Sequence, residues 1–243
     1  MSLMMFSSSS TWSRVAGVYA ATATLVFWAL PLRCLHVSQQ QQQFTIMLDP
    51  AGDAQNVGRT IEDSFERSLT LQWAEAIKRD VETKCPEITV VLTRLPGEVV
   101  QPLQNANFAN RLDVDFYLNL RVYQELGHKA GLALFTFSYG DDFINISPHL
   151  EQLSFLPVDQ AHKKSALKSA RYTSTLYQSL KKDVRSASLD IHGVITCPVK
   201  SLVGIAVPAC SIELGLKHKD DWLRYVECLS DILIELAHQG MRS

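Results

Sequence analysis

Apolar positions along the chain recur with two different periods. Phe44-Thr-Ile-Met-Leu48 is a short apolar run closing at Asp49-Pro50, which reads as a buried strand ending in a turn. Leu69, Trp73, Ile77 and Val81 then recur every fourth residue and share one helix face. Ile88-Thr-Val-Val-Leu-Thr93 is rich in β-branched residues and predicts a strand, Gln101 to Arg111 a short helix. Val114 to Val122 and Gly131 to Phe137 predict two further strands, after which polar residues dominate until Ala161. Leu176, Leu180 and Val184 mark a second long helix, and Ala206 to Leu214 a late strand. Trp222, Val226, Leu229, Leu233 and Leu236 form the stripe of a final helix.

Strands alternating with helices predict one α/β domain over residues 44–240, with a mostly parallel twisted sheet and helices on both faces. Sites in such sheets form beyond the carboxyl ends of strands. That directs attention to the residues after Leu48, after Leu120 and near Glu213.

The amino-terminal region has another character. After a tail of residues 1–14, Val15 to Leu32 carries no charge and is flanked by Arg14 and Arg33. An apolar run of about 18 residues is the shortest that spans a bilayer. Its end, Ala29-Leu-Pro-Leu-Arg33, suits signal cleavage poorly, so residues 15–35 read as an uncleaved transmembrane anchor. That implies a membrane-anchored, single-pass protein whose domain lies outside the cytoplasm, or a secreted one if the segment is cleaved. Basic residues at both ends leave the orientation open. Gln39 to Gln43 cannot bury apolar surface, and residues 36–43 read as a solvated linker.

Composition narrows the function classes. With 47% hydrophobic and 20% charged residues the chain is ordinary for a globular protein. A formal charge of −2 without a basic stripe argues against a nucleic-acid partner. Five cysteines, an odd number at wide spacings, argue against a disulfide framework or a cysteine zinc site, and Cys210 and Cys228 read as small core residues. Glycine-rich phosphate loops, H-E-x-x-H and G-x-S-x-G are all missing from the sequence.

Six segments, in order, resemble the zinc-dependent cell-wall amidases that cleave N-acetylmuramoyl-L-alanine bonds. Ile46-Met-Leu-Asp-Pro50 is similar to the family's first strand and turn, and Glu66-Arg-Ser-Leu-Thr-Leu71 to its Glu-Lys-x-x-x-Leu helix start. Val90-Val-Leu-Thr-Arg94 matches the second strand. Leu103 to Asn110 resembles the next helix, with Asn105 where the family has Arg. Asp115-Phe-Tyr-Leu-Asn-Leu-Arg121 resembles Asp-Leu-Phe-x-Ser-Ile-His, and Pro208-Ala-Cys-Ser-Ile-Glu-Leu-Gly215 resembles Pro-Ala-Val-Leu-Val-Glu-x-Gly.

The resemblance implies a phosphorylase/hydrolase-like fold and a zinc hydrolase. Zinc would be held by a His after the first strand, a Glu at the helix start and a His ending the third strand, with a late-strand Glu as general base. Here the first histidine position is Gly52, the carboxylate ligand is Glu66, the second histidine position is Arg121, and Glu213 keeps the general-base place. A guanidinium stays protonated and offers no acceptor. One ligand of three remains, so no cofactor is expected although the family uses zinc. Asp53 reaches the pocket only with a shifted turn, and His128, His149, His162 and His192 fall in predicted loops or on the long helix.

The resemblance thus implies a catalytically degenerate, membrane-tethered module binding peptidoglycan fragments or a protein partner. The alternative is an active hydrolase of the same amide bond with an atypical metal site. With Glu66 and Glu213 facing one pocket, Arg121 is expected to supply the positive charge the metal once did, as an internal counter-ion.

Overall fold

The computed structural model describes residues 43–127, 129–138 and 157–242. The proposed anchor, residues 36–42 of the proposed linker, His128 and His149 lie outside these residues. Among the described residues, no helix is long and apolar enough to cross a membrane.

The described residues form the strands β1 (Phe44–Pro50), β2 (Thr60–Ile61), β3 (Ser64–Phe65), β4 (Ile88–Leu92), β5 (Phe116–Gln124), β6 (Ala130–Phe137), β7 (Leu189–Cys197) and β8 (Ala209–Leu216). The helices are α1 (Glu66–Lys84), α2 (Gln104–Leu112), α3 (Ala166–Lys182) and α4 (Val226–Met241). Six strands build one sheet in the order β4-β1-β5-β8-β6-β7, and β2 and β3 form a separate hairpin. From β4 to β8 every pairing is parallel. β6 runs antiparallel to β8, and β7 follows β6 in parallel.

The parallel strands are apolar on both faces because both are covered. Ile46, Met47 and Leu48 of β1 and Phe116, Tyr117 and Leu118 of β5 are fully buried. One face packs on α1, α3 and α4 through Trp73, Ile77, Leu176, Leu229 and Leu233. The other face is covered by α2 and the segment 199–207, with Met47, Tyr117, Ala106, Leu202 and Val207 between them. Trp73 and Trp222 belong to the first of these cores, as their helix stripes predict.

Two expectations need correction. The stretch after α3 is not simply a connection: Leu189–Cys197 is the edge strand β7, and His192 lies on it rather than on a loop or a helix. This strand escapes a periodicity argument because an edge strand has little buried surface, and its Val194 and Ile195 are both exposed. Val184 is not on the helix stripe either, since α3 ends at Lys182 and Val184 begins a short 3-10 turn at 86% exposure.

Candidate functional site

Chain direction brings the candidate residues together. β1 ends at Pro50, and the loop 51–59 crosses the carboxyl end of the sheet before the β2–β3 hairpin delivers the chain to α1. Gly52 has φ +79°, and a Cβ placed there would lie 2.8 Å from Cβ of Arg67. Two arginines clamp this loop by its carbonyls. Arg67 Nη1 donates to Asp53 O and Ala54 O, and Arg94 donates to Pro50 O, Ala51 O and Arg67 O. The hairpin tip is fixed by Glu62, which pairs with Nδ1 of His218 at 2.9 Å, and by Asp63, which pairs with Lys219 at 2.9 Å.

Glu66 opens α1, where a carboxylate complements the helix dipole. Its side chain is nonetheless buried and occupied. Oε2 accepts from the backbone N of Arg59 at 3.1 Å and Oε1 from the backbone N of Val122 at 3.3 Å. Gly58, at φ +75°, lets the loop pass against this carboxylate, since a Cβ there would lie 2.7 Å from Oε2.

Arg121 on β5 and Glu213 on β8 are register partners. The Nε of Arg121 lies 3.9 Å from Oε1 of Glu66 and 3.9 Å from Oε1 of Glu213. It therefore sits between the two carboxylates at ion-pair distance, longer than the bidentate hydrogen bonding a guanidinium allows. The short contact belongs to Arg59, whose Nη1 lies 2.6 Å from Oε1 of Glu213. The Arg59 guanidinium also stands 5.7 Å from the ring centroid of Tyr123. Two cations thus face two carboxylates, and the charges balance. Sequence reasoning missed Arg59 because its position depends on the loop and hairpin, which carry no periodic signal.

Beneath the pocket lies a buried polar network. The carboxylate of Asp49 accepts from Thr93 Oγ1, Asn105 Nδ2, Tyr117 Oη and Asn119 Nδ2, and Asn119 Oδ1 accepts from Ser201 and Ser211. Burial raises the Asp49 pKa, with the hydrogen bonds and Arg94 opposing that rise. Asn105, the residue at the family's arginine position, is thus a structural partner of Asp49.

Asp53 does not reach toward Glu66. Its Oδ1 accepts from the backbone N of Gln55 and of Asn56, both at 2.7 Å, which closes the turn. Burial opposes ionisation of Asp53, but hydrogen bonds from Asn56, Gln55 and Val100 outweigh it and hold its pKa below the usual value. His162 lies in the 3-10 helix before α3, with its ring against Phe137 at 4.6 Å. His192 is exposed on β7. Among Gly52, Glu66 and Arg121, only Glu66 carries a lone pair able to hold a metal.

Above the network opens a groove of about 610 Å³ lined by Asn56, Gln101, Asn105, Arg121, Lys200 and Ser201 among others. A shallower recess of about 450 Å³ is formed by Arg59, Thr60, Tyr123, Gln124 and Glu213.

The polar groove over the carboxyl ends of β1 and β5 lies where open, mostly parallel α/β sheets bind their ligands. The sequence profile of the family described as N-acetylmuramoyl-L-alanine amidase matches residues 46–227, and the chain belongs to that family. The fold agrees with solved members. The amidase of Clostridium difficile 630 is 17% identical with a TM-score of 0.54, over 83% of this chain and 98% of that one. Ami1 of Mycobacterium smegmatis is 12% identical with a TM-score of 0.55, over 81% and 97%. The catalytic domain of CwlV from Bacillus (Paenibacillus) polymyxa var. colistinus is 14% identical with a TM-score of 0.53, over 79% and 97%. No curated protein matches the chain.

Proposed function

We propose that this amidase-family domain is a pseudoenzyme: a membrane-tethered module that binds peptidoglycan fragments and does not cut them. The carrying observation is the arrangement of Arg121 between Glu66 and Glu213, where the family resemblance puts a metal. The donor set does not fit the family's zinc. Gly52 offers no ligand atom, Arg121 offers only donors, and both oxygens of Glu66 already accept backbone N–H groups. A catalytic zinc takes three protein ligands and an open position.

Arg121 acts in this reading as the internal counter-ion of the two glutamates, and Arg59 shares that role. The groove supports a binding function. Arg121 and the exposed Lys200 offer positive charge, and Asn105, Asn56 and Ser201 offer hydrogen-bonding groups, to a ligand combining sugar hydroxyls with peptide carboxylates. The segment Val15 to Leu32 supplies the tether. Calorimetric titration of the full chain with soluble muropeptide tests this. Saturable binding that weakens about tenfold in Lys200→Ala is expected, as for loss of one charge-assisted hydrogen bond. Failure of muropeptide to bind would refute it.

A further inference from the structure

The opposite end of α1 carries a second cluster of metal-ligating side chains. Cys85 caps the helix, Glu87 leads into β4, and His238 lies in the last turn of α4. α1 runs from Glu66 to Lys84, 19 residues, so the cluster and the Glu66 pocket are separated by about 28 Å of helix. The sulfur, one ring nitrogen and one carboxylate oxygen all lie within 4.8 Å of one another.

We propose that Cys85, Glu87 and His238 form a zinc site unrelated to the family's catalytic position. The separations carry the argument. Nε2 of His238 is 3.4 Å from Sγ of Cys85 and 3.5 Å from Oε1 of Glu87. With Zn–S of about 2.3 Å, Zn–N and Zn–O of about 2.0–2.1 Å and tetrahedral angles, adjacent ligand atoms lie about 3.3–3.6 Å apart. Both measured edges fall in that range. The separation from Glu87 is well beyond the roughly 2.7–2.9 Å of a charge-assisted hydrogen bond. Cys85 and Glu87 are hydrogen-bonded to each other as well, so each of the three groups approaches both of the others. An ion among the three satisfies all of them.

The chemistry of the set selects the metal. A thiolate, an imidazole and a carboxylate suit zinc, whereas magnesium and calcium prefer oxygen. Cys85 is buried, but the Glu87 side chain is 31% exposed and that of His238 is 41% exposed. The fourth coordination position therefore faces solvent and takes water. The site joins the end of α1 to the end of α4, two helices that already pack against each other.

The test uses the purified full chain, charged with cobalt(II) chloride as a spectroscopic stand-in for zinc and then desalted. We expect about one cobalt per chain by elemental mass spectrometry, with a thiolate-to-cobalt charge-transfer band in the near ultraviolet. Cys85→Ser should abolish the band. His238→Gln, at a partly exposed position, covers the case in which Cys85→Ser fails to fold, and should weaken metal affinity by about tenfold or more. Glu66→Gln should leave the band intact. A wild-type chain without the band would overturn the proposal, as would a band that survives Cys85→Ser or disappears in Glu66→Gln.

Discussion

Arg121 and Glu213 face each other as register partners across β5 and β8, yet the shortest bond to Glu213 comes from Arg59, at 2.6 Å against 3.9 Å from Arg121. The charge balance of the pocket is therefore shared between a strand residue and a loop residue. Both guanidinium side chains are more than a third exposed or close to it, at 42% for Arg59 and 34% for Arg121. Solvent screening keeps such pairs at about 0–1 kcal/mol each. Arg59→Ala and Arg121→Met should each lower unfolding stability by no more than about 1 kcal/mol, measured by urea denaturation. A loss several times larger would mean the pocket is more desolvated than its exposure suggests.

Gly52 makes the histidine at the family's first ligand position hard to restore. A side chain there must take a left-handed backbone at φ +79° and displace Arg67, whose Cβ would be 2.8 Å away. The left-handed conformation alone costs about 1–2 kcal/mol. Gly52→His should lower the melting temperature, and Gly52→His combined with Arg121→His should not gain hydrolysis, because the clash is with Cβ and Cα of Arg67 and the carbonyl of Asn56, which no shortening of the Arg67 side chain removes. Thermal melts and an amidase assay on the double variant check both halves.

Acid should weaken the ion pair between Asp183 and Arg185. Asp183 bonds Arg185 through several nitrogens, as close as 2.6 Å, and that pairing holds its carboxyl down at about 2. A carboxyl whose folded pKa lies below its unfolded value, here 3.8, adds stability above that value and loses it as the pH falls toward about 2. Asp183→Asn should flatten the fall in stability between about pH 4 and pH 2, read from denaturation midpoints across that window. Asp49 has the opposite sign. Burial raises its pKa, so its contribution is full below pH 3.8 and declines as the pH rises through its folded value.

Trp73 is 1% exposed in the main core, and its indole N–H has no hydrogen-bond partner among the described residues. Its contribution is therefore packing, and Trp73→Phe should be tolerated far better than Trp73→Ala. The alanine change should cost about 3–5 kcal/mol by denaturant titration.

The proposed tether makes its own prediction. Deleting residues 15–35 should move the protein from the alkali-resistant membrane pellet to the soluble fraction. An intact chain already soluble after alkali treatment would remove the anchor from the account.

The central architecture was readable because burial leaves a periodic mark. β1, β5 and α1 carry runs of Ile, Leu, Val and Trp whose spacing matches the strand and helix repeats, and the site falls at their ends. Gly52, Glu66, Arg121 and Glu213 are placed by the resemblance of their segments to the amidase family and not by periodicity. The rest depended on tertiary closure. Arg59 reaches Glu213 across 154 positions, and His238 approaches Cys85 across 153. No local pattern encodes either meeting. The wide cysteine spacing, read as evidence against a metal site, says little about distance once α1 and α4 pack side by side.

The most direct test of the central claim is turnover. Purified full chain, supplied with zinc, is incubated with soluble muropeptide, and free stem peptide bearing an amino-terminal alanine is quantified by mass spectrometry. The account predicts no release above a protein-free control. Release that disappears in Glu66→Gln or Glu213→Gln would contradict it and establish this domain as a working amidase.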